Sequence, residues 1–171
     1  ERARRARIRH IALCAEALDG FRPKPEVLKN AAAVYRDAGC RIWVYSLIGK
    51  SLERSPEADG VVDTLMRARD ATEAIGVIPD VEEKYRGKGL RLRRHRQEIT
   101  DRANEKTSIG VTAYGSLSDI NFPWAEILGW GWLGLQLYET AADRVKVRKR
   151  LASFRGPWGG DVVPYLATYE R

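Results

Sequence analysis

The chain is poor in the side chains that most often carry chemistry: 171 residues include two histidines, two cysteines and one methionine. Cys14 and Cys40 are too few for a disulfide-rich secreted scaffold or a four-thiolate zinc site, and their apolar neighbours read as those of buried thiols on helix faces. His10 and His95 each sit among arginines, where neighbouring positive charge disfavours the protonated imidazole, so both read as solvated surface residues. Cys-x-x-Cys, His-Glu-x-x-His, Gly-x-Ser-x-Gly and Walker lysine patterns are missing. Gly87-Lys88-Gly89 is too short for a phosphate loop and reads as a turn. Glu82-Glu83 and the Asp59/Asp63 pair lack partners at metal-ligand spacing. These absences point away from an enzyme and imply no cofactor and no metal.

What the chain has is charge. It carries 30 Lys plus Arg against 23 Asp plus Glu, a net +7, and 22 of those cations are Arg. With 44% apolar and 31% charged residues it is neither disordered, collagen-like nor a polytopic membrane protein, and its length suits one domain with its own core. The charge is segregated. Arg2, Arg4, Arg5, Arg7 and Arg9 open the chain, which fits an ordinary basic helix or the neighbourhood of an organellar targeting segment. Glu16 and Asp19 then interrupt the apolar residues and exclude a secretory signal. A second cluster holds Arg91, Arg93, Arg94 and Arg96, and a third Arg144, Lys146, Arg148, Lys149 and Arg150. Between them, residues 109–138 contain no Lys, Arg or His and only two acids, Asp119 and Glu126.

Periodicity predicts helices. Ile8, Ile11, Ala12, Ala15 and Leu18 recur at helical spacing before Gly20. Pro25 suits a first turn, with Leu28, Ala31, Ala32 and Tyr35 on one face before Gly39. Residues 40–52 fit either a strand through Ile42-Trp43-Val44-Tyr45 or a helical stripe of Cys40, Trp43, Val44, Leu47, Ile48 and Leu52; length and helical neighbours favour the helix. After the Ser55-Pro56 turn, Val61, Val62, Leu65, Met66 and Ile75 predict a helix ending near Gly76. Leu90 to Ala103, with few apolar residues, reads as a solvated helix or a contact surface. Thr107 to Ser118 fits strand or helix. The expected fold class is mainly α, five to seven helices, in three regions: an Arg-rich helical region 1–106, an apolar Trp/Gly-rich segment with a basic anchor 107–155, and a tail 156–171.

Ile120 to Tyr138 gives nineteen residues, close to the ~20 a helix needs to cross a bilayer core. Trp124, Trp130, Trp132 and Tyr138 suit interfacial positions, and the cations from Arg144 suit an anchor. Gly129, Gly131 and Gly134 would let a second helix approach closely. Glu126 opposes this, because a central acid costs roughly 2.5–3.5 kcal/mol in a span. The same residues equally suit a buried helix of a soluble domain.

Two stretches resemble the g subunit of mitochondrial ATP synthases, an accessory membrane subunit of the Fo region. One is Asn30 to Tyr35 followed by Trp43-Val44-Tyr45, similar to that family's amphipathic amino-terminal part. The other is Gly134 to Leu137, then Glu139 and the basic run through Arg148-Lys149-Arg150-Leu151. Glu139 and Arg144 match the acid and base of the family's Gly-Glu-x-x-Gly-Arg-Arg signature, whereas its glycines are replaced. The resemblance implies a non-catalytic subunit of an inner-membrane complex, in contact with other subunits and anionic lipid headgroups. Trp124, Glu126, Gly129, Trp130, Gly131, Trp132, Gly134, Glu139 and Arg144 would form the interface. The alternative is a soluble, cytoplasmic or nucleoid-associated binder of DNA or RNA, using Arg91, Arg93, Arg94, Arg96, Arg148, Lys149 and Arg150 on phosphates.

Overall fold

The computed structural model describes residues 8–16, 22–47, 59–81, 85–113, 119–128, 130–136, 144–159 and 161–165. Strands and helices alternate along the chain: β1 (His10–Glu16), α1 (Pro25–Asp37), β2 (Arg41–Leu47), α2 (Asp59–Thr72), β3 (Gly76–Val81), α3 (Gly89–Arg102), β4 (Ser108–Ala113), α4 (Trp124–Ile127), β5 (Trp132–Gln136), α5 (Arg144–Trp158) and β6 (Val162–Tyr165). The fold is α/β, which corrects the expectation of a mainly α chain.

The helices around Pro25 and Val62 lie where periodicity puts them, and the charged stretch read as a solvated helix or a contact surface is the helix α3. The errors are strands read as helices, and burial explains them. A parallel strand covered on both faces shows no polar alternation, only a short apolar run that also matches a helical stripe. In β2, Ile42, Trp43, Val44 and Ser46 are all buried. In β1 the unbroken Ile11-Ala12-Leu13-Cys14-Ala15 satisfies both periods, and the chain is extended there.

The chain forms two compact units, residues 1–80 with 94–108, and residues 81–93 with 109–171. In the first, β1, β2 and β3 are parallel and in sequence order, with Ala12 beside Trp43, Trp43 beside Gly76 and Val44 beside Val77. Leu28 and Ala32 of α1 and Val62, Leu65 and Met66 of α2 are buried with Val44 and Val77. Trp43 lies across Gly76, where a β-carbon would collide with the indole and with the Ser108 carbonyl oxygen. At one end the Trp43 Nε1–H donates to His10 Nδ1 at 3.0 Å.

In the second unit β4, β5 and β6 are again parallel and sequential. Trp132 covers Gly110, its register partner on β4, as Trp43 covers Gly76. Val111, Leu133, Leu135 and Ile127 are fully buried. Trp124 packs on Phe122, with ring centroids 4.5 Å apart, and edge-on to Phe154 of α5 at 5.0 Å. The Trp158 Nε1–H donates to the Gly131 carbonyl at 3.1 Å. Sequential parallel order with a helix after each strand is the repeat that builds β/α barrels, in contrast to the reversed order of doubly wound sheets.

This architecture removes the membrane helix. Ile120 to Tyr138 contains a helix of four residues and then the strand β5, and no helix among the described residues is long and apolar enough to cross a membrane. The apolar run exists because β5 is buried, with Leu133 and Leu135 wholly inaccessible. The resemblance to ATP synthase subunit g fails with it. Asn30 to Tyr35 does lie in the helix α1, but Trp43 to Tyr45 lies in β2 and Gly134 to Gln136 in β5, so these stretches are strands and not the helices the resemblance needs. The inner-membrane location rested on that span and is withdrawn.

Candidate functional site

Burying a polar group without partners costs roughly 1–3 kcal/mol in proteins, so where such groups collect is informative. The buried polar residues are Glu16, Ser46, Thr72, Asp80, His95, Thr112 and Gln136. Five of them occupy the last or penultimate position of a strand: Glu16 ends β1, Ser46 and Asp80 are next to last in β2 and β3, Thr112 is next to last in β4, and Gln136 ends β5. The other buried positions of these strands hold apolar residues, glycine or proline. Polarity therefore concentrates at their carboxyl ends.

In the first unit the strand ends bring two carboxylates, a thiol, a phenol and a hydroxyl together. Register places Cys14 beside Tyr45, Glu16 beside Ser46 and Asp80 beside Leu47, with a bulge between Cys14 and Glu16. The half-buried Cys14 thiol is pushed up from its ordinary value, first by burial and further by the charges of Asp80 and Glu16. Hydrogen bonds from the Tyr45 side chain and the Glu16 backbone pull the other way without reversing the shift. Cys14 is thus held as a neutral thiol, unsuited to nucleophilic attack near neutral pH. Glu16 is 3% exposed, and Arg22 Nη2 lies 3.3 Å from both its oxygens while donating a hydrogen bond only to Oε1. The Ser46 hydroxyl is fully buried and has no hydrogen-bond partner among the described residues. No group of three or more His, Cys, Asp or Glu placed to hold a metal ion occurs among the described residues.

In the second unit Thr112 and Gln136 hold the corresponding positions on β4 and β5, and a set of ion pairs and hydrogen bonds braces its surface elsewhere. Arg86 pairs with Asp119 through Nε at 2.8 Å and Nη2 at 2.7 Å. The Gly87 amide donates to the Asn121 carbonyl at 2.9 Å, and Arg93 grips Glu126 with two hydrogen bonds.

The residues expected at an interface are scattered by the fold. Trp124 and Trp130 are buried core aromatics, Gly131 precedes β5, and Trp132 and Gly134 belong to it. Glu126 lies on α4, while Gly129 and Glu139 fall outside the described residues. Arg144 opens α5, with Arg148, Lys149 and Arg150 further along it. Arg91, Arg93, Arg94 and Arg96 lie on α3, which is anchored by buried Leu92, His95 and Ile99 rather than being solvated all round. His95 is therefore no surface histidine. Arg93 is occupied by Glu126, and Arg102 near the end of α3 by Asp63 and Glu98. Of the cations expected on phosphates, Arg93 is already paired with an acid of the chain, and nothing in the α/β fold supports the nucleic-acid reading.

Sequence reasoning passed over Glu16, Ser46, Asp80, Thr112 and Gln136. A signal was available: in each case a polar residue follows an apolar run of strand length. It becomes visible only once those runs are read as strands.

No protein-family model matches the chain, and comparison with curated proteins likewise found no match. Among solved structures the chain is similar to a fungal β-1,4-galactanase, with a TM-score of 0.59 and 14% sequence identity, over 91% of this chain and 60% of the galactanase. At that identity the likeness shows the fold alone. This chain spans less than two thirds of the galactanase it matches.

Proposed function

We propose that the chain belongs to an enzyme whose active site is built at the carboxyl ends of the parallel strands of its first unit, and that it hydrolyses glycosidic bonds in a polysaccharide of the β-1,4-galactan kind. The carrying observation is the placement of the buried polar residues Glu16, Ser46 and Asp80 at the ends of β1, β2 and β3 in the first unit. Catalytic residues of β/α barrels come from the ends of several strands on that same face. Glycoside hydrolysis by the common route needs carboxylates and no cofactor, and Glu16 and Asp80 supply two at strand ends. Asp80 is assigned to proton transfer or attack at the sugar, and Glu16, held by Arg22, to a charged or positioning role. The likeness to a galactanase supports the substrate class.

The test is hydrolysis of β-1,4-galactan and a panel of aryl glycosides by the purified protein. Release of reducing ends or of the aryl group is expected on at least one of them. A full panel without turnover would reject a glycosidase.

A further inference from the structure

We propose that the first unit carries a second site, for a small organic anion with a carboxylate or phosphate head on an apolar body, in the cavity of about 230 Å³ between the segment 22–24, α1 and α2. Its apolar wall is made by Ala15, Leu28, Ala68 and Ala71, and Arg22, Thr64 and Arg67 stand around it.

Both arginines have donors to spare. Arg22 is half exposed and uses only Nη2, on Glu16 at 3.3 Å. Arg67 is 79% exposed and uses Nε, on Asp63 at 2.7 Å. Among the described residues their other guanidinium N–H groups are uncommitted, and forked donors of this kind fit the two oxygens of a carboxylate or phosphate. Asp63 also lines the cavity, but it carries two guanidiniums, that of Arg67 and that of Arg102 at 3.2 Å, so its charge is offset. Lys24 gives α1 no side-chain cap, and the adjoining Pro25 lines the cavity, so the positive end of that helix adds to the same field. The volume is below the ~300–1,000 Å³ of drug-sized pockets. A single ring with one anionic group matches that size.

Isothermal titration of the intact protein with phenyl phosphate, benzoate and inorganic phosphate tests this. Phenyl phosphate or benzoate is expected to bind saturably, more tightly than phosphate alone, with affinity falling as salt is raised. Arg67→Ala should weaken binding roughly tenfold, the scale of a lost charge-assisted pair. Ala71→Leu, which fills the apolar wall, should abolish binding of the ring compounds. Arg22→Ala deprives Glu16 of its partner, so Arg67→Ala and Ala71→Leu carry the decision, with unchanged circular dichroism as the control for folding. No saturable binding by either ring compound, or binding indifferent to both substitutions, would overturn the site.

Discussion

Arg93 of α3 holds the Glu126 carboxylate of α4 with two hydrogen bonds, Nη2 to Oε1 at 2.6 Å and Nε to Oε2 at 2.9 Å. Glu126 is the acid that stands against a membrane span, and Arg93 belongs to the second arginine cluster. Each answers for the other's charge. The pair lies at the surface, with Arg93 well exposed, so its contribution is screened. Glu126→Gln is expected to lower the melting temperature slightly in dilute buffer. In ~1 M salt, where the Debye length is about 3 Å, the difference should close. A gap that persists at high salt would show that Glu126 matters through packing.

The contact of Trp43 with Gly76 leaves no room for a side chain. Gly76→Ala would drive a methyl group into the indole and into the Ser108 carbonyl oxygen, and a loss of about 3 kcal/mol in urea-melt stability is expected. Adding Trp43→Leu should restore only part of it, since the carbonyl remains in place. Full restoration would contradict the backbone contact.

Glu73 is the described non-glycine residue with a positive φ, +48°, just after α2. A side chain there costs about 1–2 kcal/mol relative to the right-handed region, and glycine escapes that cost while losing more chain entropy. Its carboxylate is exposed and reaches Arg36 only at 3.9 Å. Glu73→Gly is therefore expected to stabilise the protein by roughly 0.5–1 kcal/mol. A lower denaturation midpoint would mean that the ion pair outweighs the backbone.

Cys14 gives a pH prediction with a definite sign. Its thiol ionises at higher pH in the folded chain than the ordinary value of 9.0. As pH rises past that value the unfolded chain loses its thiol proton first, so this residue's contribution to stability is intact below it and falls above it. Alkylation of Cys14 by iodoacetamide should be slower than that of a free thiol at pH 8, with its inflection displaced upward. Asp80→Asn should move the inflection down, because one of the charges opposing the thiolate is gone. A displacement in the opposite direction would contradict the placement of Asp80 near Cys14.

Helices were legible in the sequence wherever a turn signal met an amphipathic stripe, as at Pro25 with Leu28 and Ala32, or from Val62 to Met66. The strands were legible only as alternatives, at Ile42 to Tyr45 and between Thr107 and Ser118. Ile42-Trp43-Val44 and Trp132 to Leu135 are apolar because they are covered on both faces, and an apolar run without alternation carries no period to separate strand from helix. The same ambiguity hid the strand-end cluster. Asp80 follows Val77-Ile78-Pro79 and Gln136 follows Leu133-Gly134-Leu135, and such a polar residue is conspicuous only when the run before it is known to be a strand. The arginine clusters misled in the opposite direction, since sequence shows cations without the acids, Asp63, Asp119 and Glu126, that folding brings to Arg102, Arg86 and Arg93.

The most direct test of the strand-end account is the rate of polysaccharide hydrolysis by the Asp80→Asn protein relative to the parent, on whichever glycan the parent cleaves, with folding matched by circular dichroism. Loss of a catalytic carboxylate should reduce turnover by roughly 10²–10⁴-fold while the fold is retained. Turnover within a factor of two of the parent would contradict the assignment of chemistry to the carboxyl end of β3.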